Sequence, residues 1–163
     1  MSSRRSVYIL LGSNLNRPRL QLEKAKSNIE ACIGKVIKTS SIYKTAPWGY
    51  SDQPAFYNQV IKLYSSKSGI KILKLIKEIE QIMGRVLQMK WGPRIIDIDI
   101  LFIGYQRIKN KDLIVPHPRI AERLFVLAPL NEIIPHFIHP VSKNTVHTLF
   151  NQCNDHLNVR KVK

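Results

Sequence analysis

Residues 91–103 read Trp-Gly-Pro-Arg-Ile-Ile-Asp-Ile-Asp-Ile-Leu-Phe-Ile, and the fold turns on what this stretch is. From position 95 to 103 every residue is apolar, most of them β-branched, except Asp97 and Asp99. That composition predicts a buried β-strand. Alternate strand residues share a face, so both carboxylates point to one side, roughly 6–7 Å apart at about 3.3 Å per residue. Two like charges in an apolar strand are costly unless something positive neutralises them. Hard divalent cations, Mg²⁺ above all, would do so while bridging the aspartates to phosphate oxygens. The structural alternative is a pair of strand-edge aspartates held by Lys or Arg.

Working outward from this strand, the pattern resolves into alternating elements. Residues 7–11 predict a first strand ended by Gly12-Ser13-Asn14. Asn16 can cap a helix with Pro18 in its first turn and Leu22, Ala25, Ile29 and Ile33 as its stripe; Gly34 stops it. Strands are expected at 35–44 and 56–64, separated by a loop over 45–54 that holds Pro47, Gly49 and Pro54. From Gly69 the apolar spacing turns helical through Ile72, Leu73, Ile76, Ile79 and Ile82, and Gly84 closes the run. A basic loop, 85–94, leads into the two-aspartate strand. Beyond it come a hairpin at 106–115, a helix at about 120–127 and a last helix at 145–154.

The order β-α-β-β-α-β is that of a ferredoxin-like α+β sandwich, an antiparallel sheet with helices packed on it, followed by a C-terminal elaboration. With 163 residues and 44% apolar content, the chain is expected to form a single domain over 1–163. No apolar run reaches the roughly 20 residues of a membrane span. Cys32 and Cys153 are too few for a disulfide framework or zinc site, which fits a reducing, cytoplasmic setting.

The 26 basic against 11 acidic residues give a net charge of +15. A basic nucleic-acid-binding module of ferredoxin-like fold is therefore the competing reading. Against it, the basic residues are scattered and no aromatic–basic RNA signature is present. A polyanionic small substrate would be drawn by the same field. Neither GxxxxGK[ST] nor GxGxxG occurs, so neither a P-loop nor a dinucleotide fold is indicated. His136 and His139, beside Pro135 and Pro140, read as loop or packing histidines.

Two groups of residues carry chemistry. Arg85, Lys90 and Arg94 precede the aspartates, and His117 and Arg123 follow. Phosphoryl transfer needs such positive charge together with metal ions around the phosphates. Phe56 and Asn58 lie one strand-step apart and share a sheet face, a flat ring beside an amide, which suits a planar heterocycle. Core packing of Phe56 beside a surface Asn58 is the plain alternative.

These residues resemble the 6-hydroxymethyl-7,8-dihydropterin pyrophosphokinase family over roughly 6–150. The resemblance rests on Gly12-Ser13-Asn14-Leu15, Ser41-Ile42-Tyr43-Lys44-Thr45, Asp52-Gln53-Pro54 with Phe56 and Asn58, and Glu80 with Gly84-Arg85. The run Trp91-Gly92-Pro93-Arg94 with Asp97 and Asp99, then Val115-Pro116-His117 and Arg123-Leu124-Phe125, complete it. It implies transfer of pyrophosphate from ATP to the substrate's hydroxymethyl oxygen, with release of AMP, in folate biosynthesis. It also implies two Mg²⁺ ions held by Asp97 and Asp99. Thr45 and Asn58, with backbone near Ala46 and Trp48, would then bind the pterin edge, and Phe56 and Phe125 would sandwich its ring. Glu80, Lys90, Trp91, Ile98, His117 and Arg123 would border the nucleotide, and Arg85 and Arg94 would meet its phosphates. Departures from the family pattern fall at Leu87, Lys90, Asp112, Ile114 and Pro118, on the adenosine side. The expected partners are small molecules, ATP and the pterin, bound by a monomer with no nucleic-acid or membrane partner.

Overall fold

A computed structural model describes residues 3–47, 51–85 and 92–162 of the chain. Strand β1 (Arg5–Ser13) runs through the middle of the main sheet. It is followed by α1 (Pro18–Cys32), β2 (Val36–Thr39), β3 (Ile42–Thr45) and β4 (Phe56–Ser65). Then come α2 (Gly69–Ile82), β5 (Asp97–Ile103) and the small hairpin β6 (Ile108–Lys109) and β7 (Ile114–Val115). A 3-10 turn (Ile120–Glu122), α3 (Leu124–Ile133), α4 (Val146–Gln152) and β8 (Val159–Val162) complete the order. The path β5-β1-β4-β3-β8 is antiparallel at every step, with β2 also paired to β4. This is the ferredoxin-like arrangement expected from the element order, widened by β8.

Helices cover both faces of the sheet. Val7, Ile9 and Leu11 of β1 pack with Ile61 and Leu63 of β4 against Leu22 and Ile29 of α1 and Ile72, Ile76 and Ile79 of α2. Tyr8 and Leu10 point the other way, toward Val126, Leu127 and Leu130 of α3 and Val146 and Leu149 of α4. The period-two alternation of β1 is thus apolar on both faces, as a central strand between two helix layers requires. In β5 the alternation is interrupted. Tyr8 pairs with Phe102 and Ile9 with Ile100, leaving Leu101 as an extra residue. Ile98, Ile100 and Ile103 therefore reach the α1/α2 core while Leu101 and Phe102 reach the α3/α4 core.

Several boundaries differ from the sequence expectation. The stretch 35–44 is two strands, because Ser40 breaks the ladder: its hydroxyl accepts from Val60 N at 3.0 Å while Gln59 Nε2 donates to its carbonyl at 2.8 Å. Helix α1 is entered through Asn16 and Arg17, both left-handed (φ 52° and 62°). Arg17 occupies the N-cap without a side-chain bond, and Asn16 instead gives its carbonyl to Gln21 Nε2 at 2.8 Å. The predicted helix at 120–127 divides into the 3-10 turn and a longer α3. The two-aspartate strand begins at Asp97, since residues before it turn back to bond with Asn14. Strand β8 carried no sequence expectation. Its four residues alternate weakly and gain their stability from pairing with β3.

Candidate active site

The site grows from the ends of three neighbouring strands. Gly12 near the end of β1 pairs with Asp97 on one side and Asn58 on the other. Asp97, Asp99, Leu10 and Asn58 share the sheet face toward α3, and there the helix layer leaves a cleft lined by all four together with Gly12. A Cβ on Gly12 would stand 2.7 Å from Asn58 Oδ1, so glycine is what leaves room for that amide. Asn58 is 4% exposed, which removes the reading of a surface asparagine. Its Nδ2 donates to Thr45 Oγ1 at 3.2 Å.

This first cleft is also lined by Thr45, Ala46, Phe56, Gly92, Arg94, Arg123 and Phe125. Phe56 comes from the sheet and Phe125 from the first turn of α3, and the Arg123 guanidinium lies 5.6 Å from the Phe125 ring centroid. A second, more open cleft of about 390 Å³ adjoins it. There Glu80, Arg85, Ile98 and His117 meet Leu73, Ile76, Lys77 and Arg119. Arg94, Asp97, Asp99 and Arg123 line both clefts.

The electrostatics centre on the aspartates. Asp97 Oδ1 pairs with Arg85 Nη1 at 3.1 Å and Arg94 Nη1 at 3.4 Å. The alternative of arginine-held aspartates is therefore realised at Asp97, but inside the cleft. Arg85 also pairs with Glu80 Oε2, the oxygen that accepts from Ile98 N at 3.1 Å. Glu80, buried on α2, thus ties β5 and Arg85 to one point. Burial first, and then the facing charges of Asp97 and Glu80, push the Asp99 carboxyl well above the usual carboxylate range. Burial and the neighbouring Arg123 push His117 down to about 4. Its Nδ1 accepts from Arg119 N at 3.1 Å, so the neutral ring presents Nε2–H as a donor.

Two oxygen-donor carboxylates on one face, with no third His, Cys, Asp or Glu completing a metal cluster among the described residues, suit a hard cation. Mg²⁺ in particular takes one or two carboxylates and completes its shell with phosphate and water. The donor set fits that ion and argues against a dedicated protein cage.

Of the residues singled out in the sequence, Trp48, Lys90, Trp91 and Leu87 lie outside the described residues. The other candidate site residues are brought together in the two clefts, whereas Asp112, Ile114 and Pro118 lie on the surface and line neither. Sequence reasoning missed Lys77, Leu73 and Arg119. Lys77 stands one helical turn before Glu80, a spacing that could have flagged it.

An acid pair flanked by arginines, set between an aromatic cleft and a wider basic one on a ferredoxin-like sheet, defines a phosphoryl-transfer enzyme. Comparison with known proteins narrows the class. The model of the 7,8-dihydro-6-hydroxymethylpterin-pyrophosphokinase (HPPK) family matches residues 8–135. The chain is 40% identical over 152 residues to 2-amino-4-hydroxy-6-hydroxymethyldihydropteridine pyrophosphokinase of Haemophilus influenzae, covering 93% of this chain and 94% of that one. It is 43% identical to the folic acid synthesis protein fol1 of Pneumocystis carinii, of which it spans only 20%. A solved structure of Plasmodium falciparum HPPK-DHPS shares the fold, with TM-score 0.76 at 21% identity, over 93% of this chain and 46% of that one. The chain belongs to this family, and its activity is that of an ATP-dependent pyrophosphokinase of folate biosynthesis. The nucleic-acid-binding alternative finds no support in these comparisons.

Proposed function

We propose that the aromatic cleft takes 6-hydroxymethyl-7,8-dihydropterin and the wider cleft takes Mg–ATP, so that pyrophosphate passes between them and AMP leaves. The observation that carries this reading is the shared lining: Arg94, Asp97, Asp99 and Arg123 border both clefts. The reacting atoms would meet there. The hydroxymethyl oxygen forms a bond to the β-phosphorus, the bridge from β-phosphorus to the α-phosphate oxygen breaks, and the hydroxyl proton leaves with solvent.

In this scheme Thr45 and Asn58 hydrogen-bond the pterin edge beside the Ala46 backbone, and Phe56 and Phe125 stack on its ring. Trp48 joins them by family pattern. Asp97 and Asp99 hold two Mg²⁺ ions, which supply charge neutralisation at the phosphates when bound. Arg85, paired in the free protein with Glu80 and Asp97, exchanges carboxylate for phosphate oxygens as substrate enters. Arg94 and Arg123 flank the transferred group, and His117 donates from Nε2 to the nucleotide. Ile98 lines the nucleotide cleft, with Lys90 and Trp91 joining by family pattern. Glu80 acts by fixing Arg85 and the Ile98 amide. Among the described residues, no side chain of the aromatic cleft besides the two aspartates is placed as a general base, so the rate gain rests on positioning and electrostatics.

Residues 1–163 would work as one catalytic unit, a cytoplasmic monomer whose positive field gathers a polyanionic substrate. The described helices include none long and apolar enough to cross a membrane. Incubating the protein with Mg–ATP and the hydroxymethyl-dihydropterin should yield AMP and the pterin diphosphate, and chelating Mg²⁺ should stop it. Formation of ADP, or no AMP at all, would refute the proposal.

A further inference from the structure

We infer that Asp155 is a positioning residue for the pterin cleft, acting through two stretches of its lining. The inference rests on the pyrophosphokinase reading above and adds a segment that the family match, ending at residue 135, does not include.

Arg123, at the N-cap of α3, offers its helix no side-chain bond. Four amides at such an end need outside partners. One of them, Leu124 N, donates to Asp155 Oδ2 at 2.9 Å, across 31 residues of sequence. A carboxylate there also meets the positive end of the helix dipole. The first turn has less support from within, because Pro129 has no N–H to give the Phe125 carbonyl one turn earlier. Phe125, the aromatic wall of the cleft, is the residue after Leu124.

The other oxygen of the same carboxylate fixes the tail. Asp155 Oδ1 accepts from Leu157 N at 3.0 Å. The next carbonyl, Asn158 O, accepts from Ala46 N at 3.2 Å, and Val159 then pairs with Thr45 as β8 begins. Thr45 and Ala46 line the same cleft as Phe125, Thr45 being paired with Phe56 across the sheet. One short segment therefore grips two stretches of the cleft lining, and Asp155 is the joint between them. Its removal should let the first turn of α3 move relative to Thr45 and Ala46, widening a cleft whose ligand is rigid and flat. The nucleotide cleft draws its lining chiefly from α2, β5 and residues 117–119, and meets the start of α3 only at Arg123.

The test uses the full-length protein, with 6-hydroxymethylpterin and Mg–α,β-methylene-ATP as probes for calorimetry and steady-state kinetics for turnover. Asp155→Ala should weaken pterin binding by about tenfold, the equivalent of one lost helix cap. Nucleotide affinity should stay within about threefold. The pterin KM should rise while kcat and the ATP KM hold. Asp155→Asn keeps an oxygen for Leu124 N and should recover part of the loss; it also stands in if the alanine variant fails to fold. Leu63→Ala, in the opposite core, should lower the melting temperature and leave pterin affinity unchanged. Unchanged pterin affinity in both Asp155 variants, or equal weakening of both ligands, would overturn the inference alone. Wild-type protein that binds neither probe would overturn the pyrophosphokinase reading beneath it.

Discussion

Asn14 and Arg94 are joined twice: Asn14 N donates to the Arg94 carbonyl at 3.1 Å, and Arg94 N donates to Asn14 Oδ1 at 2.8 Å. The remaining half of the carboxamide faces the other loop, where Nδ2 donates to Gln53 Oε1 and to Pro54 O, both at 2.9 Å. A single buried side chain just after β1 therefore secures the segment leading to the aspartates and the segment leading to Phe56.

Replacing that side chain should loosen both segments at once. Asn14→Ala is expected to cost about 1–3 kcal/mol, because it removes three side-chain bonds to partly buried segments and empties a buried position. Asn14→Asp should be no better, since its carboxylate would face Gln53 Oε1 and the Pro54 carbonyl. Urea unfolding of both variants checks this; a wild-type midpoint in Asn14→Ala would show the carboxamide to be dispensable.

At Asp99, function and stability should separate. The carboxyl is pushed upward by burial and by Asp97, so ionising it at neutral pH works against the fold. The sign follows from linkage: stability falls as pH rises above the unfolded value of about 3.9 toward the raised folded one. Asp99→Asn should therefore gain about 1 kcal/mol in the ligand-free protein at pH 7, roughly 2–4 °C. Its turnover should drop by about a hundredfold or more. A melting temperature below wild type would contradict the prediction.

Gly12→Ala tests the crowding beneath the pterin cleft. The new methyl must displace Asn58 Oδ1 from 2.7 Å, and the Asn58–Thr45 bond goes with it. The pterin KM should rise by about tenfold or more, while the ATP KM changes little. Kinetics with each substrate varied in turn would expose a symmetrical loss, which this geometry does not allow.

The acid limb of the stability profile should carry a contribution from His117. Its folded value lies near 4, below an unfolded value of about 6.5. Between these the unfolded chain binds the extra proton, so stability declines as pH falls through that window and levels off below it. The ceiling is about 3 kcal/mol at 1.36 kcal/mol per pH unit. His117→Asn keeps an acceptor for Arg119 N and should flatten the limb; an unaltered profile from pH 4 to 7 would exclude His117 as its source.

The sheet was legible in the sequence because its strands are long, apolar and bounded by glycine, proline or loop residues. The cleft residues were legible because Asp97, Asp99, Phe56 and Asn58 occupy alternate strand positions, where spacing dictates direction. What stayed hidden depends on distant partners. Ser40 breaks a ladder through bonds to Val60 and Gln59, which local pattern does not encode. Strand β8 is short and half exposed, and only β3 makes it a strand. Lys77 and Arg119 belong to no motif, and only the helix and turn that carry them bring them to the cleft.

The extra residue at Leu101 has a bearing on how much change β5 can absorb. Upstream of it the strand alternates acid and isoleucine; downstream it supplies hydrophobic side chains to both helix layers. Deleting Leu101 would leave the remaining pairs in register and on their present faces, Ile100 with Ile9 and Phe102 with Tyr8. Deleting Ile98 instead would carry Asp97 onto the face of the isoleucine-rich interior. Upstream of the bulge, length is thus more constrained than identity, whereas loss of Leu101 costs its own contacts with the α3/α4 core.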